Sequence, residues 1–149
     1  MKDIKTLPQL SENDFEWGVL TATLDDGSPL IVRFNKTAKD WIKHPDLPIK
    51  LGFAIPLNAP VEGGMPNSLE NEQLYFIEDV LLQEIEAHTF GIQALVLTTG
   101  FMKEFVFYIP YGVNIEAIHQ AVQKAVDSHE VQCMAFEEQE WESFQQFYR

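Results

Sequence analysis

Cysteine is nearly missing from this sequence. Cys133 is the single one in 149 residues, which excludes an intrachain disulfide and any multi-cysteine zinc site. Long apolar runs are missing too, and none approaches the roughly 20 residues that cross a bilayer. The opening stretch, MKDIKTLPQLSEND, has no apolar core of a signal peptide, so a cytoplasmic protein without membrane contact is expected. Basic residues are scarce beyond position 61: residues 62–149 hold 15 acids and 3 bases, against 8 and 7 in residues 1–61. A surface of that sign repels phosphate backbones, so no direct nucleic-acid binding is expected.

Catalytic patterns are equally thin. The four histidines, His44, His88, His119 and His129, are dispersed, with no H-x-x-x-H or H-E-x-x-H spacing. His88 and His129 fall at the ends of two expected helices, where they suit the negative end of the dipole. No serine sits in a G-x-S-x-G elbow. Cys133 lies in an apolar strand and reads as an inert buried thiol. Gly63-Gly64 lacks the spacing of a phosphate-cradling loop. The expectation is a non-enzyme with no catalytic residue, no cofactor and no metal.

What the chain does have is the composition of one folded domain, 46% hydrophobic and 12% aromatic, spanning residues 1–149. Residues 1–12 read as a poorly ordered lead-in. Residues 14–35 form a β-hairpin, with Phe15, Trp17, Val19, Thr21 and Thr23 on one face and Asp25-Asp26-Gly27-Ser28 as the turn. Lys36 to Pro48 is a basic connection anchored by Trp41 and Ile42. Ile49, Leu51, Phe53 and Ile55 alternate strictly as a strand, and Asn58 to Pro66 is a loop.

The best-marked element follows. Asn67 or Ser68 caps a helix whose Leu74, Ile77, Leu81 and Ile85 repeat at three and four residues. Glu78, Asp79, Glu84 and Glu86 are assigned to its opposite, solvent side. Ile92 to Leu97 and Phe105 to Ile109 are strands. Asn114 opens a second helix on Ile115, Ile118, Val122 and Val126, and Val131 to Phe136 is the last strand. Residues 137–149 close the chain with Trp141, Phe144 and Tyr148 at helical spacing.

From residue 49 to 136 the order is βαββαβ. The expected fold class is α+β, a ferredoxin-like antiparallel sheet with two helices on one face, plus an N-terminal β-hairpin and a short C-terminal helix. Leu95, Leu97, Val106, Tyr108, Met134 and Phe136 face away from Val96, Phe105, Phe107 and Cys133, so the face without helices also needs a cover. The hairpin, the Trp141–Tyr148 segment or a second subunit could supply it, leaving monomer or homodimer open.

Several stretches together resemble one family. They are the strand ending in Ile55-Pro56-Leu57, the run P-x-S-x-E-x-x-x-L-x-x-I-E-D from Pro66 to Asp79, the pair TTGFMKEFVFYIP, and the ending E-W-E-S-F-x-x-F-Y. The pattern, from about Asp14 to Tyr148, is similar to the domain of unknown function 695 family, and its topology resembles the acidic regulators of ribonuclease E activity. The resemblance implies a ferredoxin-like fold and no activity. Members often carry an arginine-rich turn after Thr-x-Gly, where this chain has Phe101-Met102-Lys103, so no anion site is implied at that turn.

The functional expectation is a protein-interaction or regulatory module. Its acidic helical face, with Glu78, Asp79, Glu84 and Glu86, would dock a basic protein partner. The alternative is a small-ligand-binding or hydrolytic domain whose site uses the 58–66 loop and Trp17 or Trp41.

Overall fold

The computed structural model describes residues 2–11 and 14–148; Met1 and Glu12 of the expected lead-in, Asn13, and Arg149 of the closing segment lie outside the described residues. The sheet begins with β1 (Trp17–Thr23) and β2 (Pro29–Asn35), a hairpin turned at Gly27, whose φ of +87° suits glycine. A 3-10 helix over Lys36–Trp41 leads to β3 (Ile49–Pro56). Then come α1 (Ser68–His88), β4 (Ile92–Thr98), β5 (Met102–Ile109), α2 (Ile115–Ala125), β6 (Gln132–Glu137) and a short α3 (Glu142–Gln145). Both long helices start as their sequences predict. Asn67 accepts from the Glu70 amide at 2.8 Å, and Asn114 from the Ala117 amide at 3.1 Å.

This is an α+β fold on one six-stranded antiparallel sheet, ordered β1-β2-β4-β5-β3-β6. On one face, α1 and α2 bury Leu74, Ile77, Leu81, Ile85, Ile118 and Val122 against Leu51, Phe53, Phe105 and Phe107. Each such side chain contributes roughly 1.5–3 kcal/mol over an exposed one. The opposite face forms a second core on Leu95, Val106 and Tyr108.

The cover for that second face comes from within the chain. Trp41 closes it from the 3-10 helix, and Trp141 and Phe144 close it from the C-terminal side. Trp141 stacks on Tyr108 with ring centroids 3.9 Å apart, and its indole N–H donates to the Leu47 carbonyl at 2.9 Å. These contacts hold Trp141 at φ +53°, a left-handed backbone that costs a non-glycine residue roughly 1–2 kcal/mol. The hairpin extends the sheet instead of covering it. Met134 and Phe136, expected on this face, stay exposed, because β6 is an edge strand beyond the reach of the cover.

The lead-in also differs from the expectation. Leu10 is buried in the helix-covered core, and Ile4 and Leu7 pack on the second one. Three apolar residues spaced by three gave the segment enough surface to bury, which its polar neighbours masked. No helix among the described residues is long and apolar enough to cross a membrane.

Candidate functional site

Alternation along three neighbouring strands brings a set of polar side chains onto the helix-covered face. Ile31 and Arg33 of β2 lie beside Thr98 and Val96 of β4, and Thr98 lies beside Lys103 of β5. Asn71 and Tyr75, one turn apart on α1, roof this patch, and Met65 and Pro66 from the preceding loop close one side. Together they line a cavity of about 210 Å³.

Arg33 of the cavity wall belongs to a part-buried charge network. Arg33 donates from Nη2 to Glu78 Oε2 at 2.6 Å, and Gln93 donates from Nε2 to the same oxygen at 2.8 Å. Asn35 donates to the Gln93 carbonyl at 2.8 Å, which fixes that strand against the hairpin. The Arg33 guanidinium also lies 4.9 Å from the centroid of the Trp17 ring. Trp17 is thus a packing surface for the arginine, and its hairpin serves to bring Arg33 to the site.

Lys103 is the exceptional group. It is only 8% exposed, and among the described residues its ammonium has neither a hydrogen-bond acceptor nor a carboxylate within reach. Its Nζ lies 5.4 Å from the Tyr75 ring and 5.8 Å from that of Phe105. Burial, followed by the charge of Arg33, pushes its basicity below the usual lysine range, with Glu78 opposing in part. Two cations therefore face one carboxylate, and the cavity holds one uncompensated positive charge inside a protein of net charge −13. That arrangement favours an anion as guest.

The four acids assigned to a docking face do not all share one. Glu78 is a correction: it is buried against Arg33 and Gln93, because it falls four residues after Leu74 and three before Leu81 and so lies along the apolar stripe. Asp79 points to solvent. Glu84 is half-buried, and so is Glu86, whose carboxylate accepts from the Ser11 amide and hydroxyl at 3.1 and 3.2 Å. Trp41 is buried in the second core, away from the cavity.

The other end of the 58–66 loop is held by a second polar cluster. Glu70 accepts from the amides of Asn58 and Ala59 at 3.0 and 2.8 Å and bonds His129 Nε2. Burial opposes the charge on Glu70, but His129 and the two amides outweigh it and hold the carboxyl below the usual range. His129, expected to complement the end of a helix, sits past the end of α2 as this clamp. Ser128 Oγ lies 3.0 Å from His129 Nδ1, which gives the order serine, histidine, carboxylate. The imidazole is fully buried, however, so it has no face from which to exchange a proton with a substrate. The cluster ties the β3–α1 loop to the α2–β6 turn.

Among the described residues, no group of three or more His, Cys, Asp or Glu side chains is placed to hold a metal ion. Cys133 is half-buried, and burial pushes its thiol up to about 11.

Two signals in the sequence pointed to the cavity. Lys103 alternates with Phe105 and Phe107, which places a cation on a buried face, and Arg33 alternates with Ile31 in the same way. Neither signal shows that the two would be neighbours, since they lie 70 residues apart in sequence.

The model of one protein family matches residues 15–148, and its description is a family of unknown function, DUF695. No curated protein and no solved structure matches the chain.

Proposed function

The chain belongs to this DUF695 family, whose function is unknown, and from the site alone we propose a non-enzymatic module that binds a small anion between α1 and β2-β4-β5. One observation carries the reading: Lys103 lines a cavity, nine-tenths buried and without a partner among the described residues. Arg33 reinforces the positive field, and Met65 and Pro66 bring in the 58–66 loop. The test is calorimetric titration with acetate, pyruvate and inorganic phosphate at low ionic strength. Saturable binding that is lost in Lys103→Met and kept in Asp79→Asn supports the reading. Binding of none of these anions, or equal binding by Lys103→Met, overturns it.

A second reading keeps a basic protein as partner. Phe76 is 55% exposed on α1 and stands one turn from Glu72 and Asp79, so an aromatic anchor is framed by acids. Asp79, Glu84 and Glu86 would serve this face, without Glu78. Salt-sensitive binding of a basic partner that Asp79→Lys weakens would support it, and indifference to both would remove it. The cytoplasm is the proposed setting of both readings; its support is a sequence with one cysteine, which needs no oxidising compartment to fold.

The fold reading that accompanies these proposals is ferredoxin-like. Its support is the βαββαβ run from β3 to β6, with those strands ordered β4-β5-β3-β6 and α1 and α2 on one face.

A further inference from the structure

We infer that Lys103 is a nucleophilic amine and that the cavity takes small oxo acids, whose carbonyl carbon condenses with Lys103 as an imine while the carboxylate lies against Arg33. This rests on the anion-binding reading above and gives it a substrate class.

The inference starts from what surrounds the nitrogen. Val96, Ile31 and the rings of Tyr75 and Phe105 form an apolar wall around Lys103. The charged groups that face it are Arg33 and Glu78, and Glu78 is already bound to Arg33 and Gln93. A lysine held this way, desolvated and beside another cation, keeps its lone pair available at lower pH than a surface lysine. An ordinary structural lysine would be paired or would stand free on the surface. Lys103 is unpaired among the described residues, and its 8% exposure opens on a cavity.

Size and charge narrow the guest. A volume of about 210 Å³, enough for several ordered waters, suits a short acid. One uncompensated positive charge, on the Lys103 ammonium before the reaction and on the protonated imine after it, matches one carboxylate. The Arg33 guanidinium spends one nitrogen on Glu78, and among the described residues its remaining donors have no acceptor, so they can orient that carboxylate.

The chemistry balances without a redox partner. The unprotonated amine attacks the carbonyl carbon, and the new C–N bond pushes the carbonyl π electrons onto oxygen. A proton passes from nitrogen to that oxygen to give a carbinolamine. Loss of water then forms the C=N bond, with solvent at the cavity mouth carrying the protons. Aldehydes that lack a carboxylate would find no anchor at Arg33 and would react with any exposed lysine.

The experiment incubates the full chain with pyruvate and sodium cyanoborohydride near neutral pH and locates the reduced adduct by peptide mass spectrometry. The expected result is an adduct at Lys103 at least tenfold above any other lysine, suppressed by excess acetate. In Lys103→Arg, with its fold checked by melting temperature, the adduct should vanish while calorimetric binding of acetate remains. Acetate binding with no adduct, or with adducts spread over surface lysines, overturns this inference and leaves the anion site standing. Absence of both binding and adduct overturns the two together.

Discussion

Replacing Glu78 with glutamine separates a surface acid from a buried one. Glutamine keeps the shape of the side chain, so no cavity opens, but it removes the charge that balances Arg33 and Lys103. Removing one partner of a buried ion pair costs about 3–5 kcal/mol. The Arg33 side chain retains 31% of its exposure and that of Glu78 12%, so solvent softens the penalty. A loss of about 2–3 kcal/mol is therefore expected, which for a chain of this size lowers Tm by roughly 5–10 °C. The assay is urea and thermal unfolding in low-salt buffer without multivalent anions. Glu84→Gln, a half-exposed control on the same helix, should stay within about 0.5 kcal/mol of the parent. The double variant Glu78→Leu with Arg33→Met should recover most of the loss, since apolar replacement of a whole buried pair is often neutral. Inorganic phosphate should also restore Glu78→Gln, because it supplies the missing negative charge. If Glu78→Gln unfolds within 0.5 kcal/mol of the parent (about the scatter of surface substitutions), the network carries no energy and the reasoning about the cavity fails.

The other predictions concern Lys103, Glu70 and Trp141. Lys103→Met should leave stability unchanged or raise it, because a largely buried side chain whose ammonium is unpaired among the described residues gives way to an apolar one, while anion binding disappears; a large drop in Tm would show that the lysine is structural. Glu70→Gln should cost about 2–3 kcal/mol above pH 5, through the weakened bonds to His129, Asn58 and Ala59. The folded-state acidity of Glu70 is increased, so its contribution is full above the unfolded carboxyl's range and fades as pH falls through the folded one. The gap between parent and variant should accordingly close on acidification, as pH-dependent urea midpoints would show; a constant gap would refute the clamp. Trp141→Phe should lose about 1–3 kcal/mol by orphaning the buried Leu47 carbonyl, measurable by chemical denaturation.

Much of the architecture was legible because it is local. Period-two alternation located Ile49 to Ile55, and the spacing of Leu74, Ile77, Leu81 and Ile85 together with Asn67 located α1, since each pattern needs only its own neighbours. The same alternation separated Leu95, Val106 and Tyr108 from Val96, Phe105 and Phe107. What covers the second face is not legible in the sequence, because the Trp141–Tyr108 and Trp141–Leu47 contacts join distant segments that no local period reports. The burial of Glu78 escapes the local pattern for a related reason. The residue's type suggests solvent and its position suggests the core, and it is Arg33 and Gln93, 45 and 15 residues away, that stabilise the carboxylate there. The cavity at Lys103 depends on β5 pairing with β4 and β4 with β2, which is long-range information.

The cover over the second sheet face also dictates an order of assembly. Synthesis delivers the chain from its N-terminus, and every residue of the helix-covered core precedes position 134. That core can close while Leu95, Val106 and Tyr108 on the reverse side still wait for Trp141 and Phe144. A nascent chain that has emerged only as far as the 130s would hold a nearly finished sheet with one half-covered, adhesive face. Its exposure to chaperones and to premature association would end only when the indole of Trp141 reached the Leu47 carbonyl.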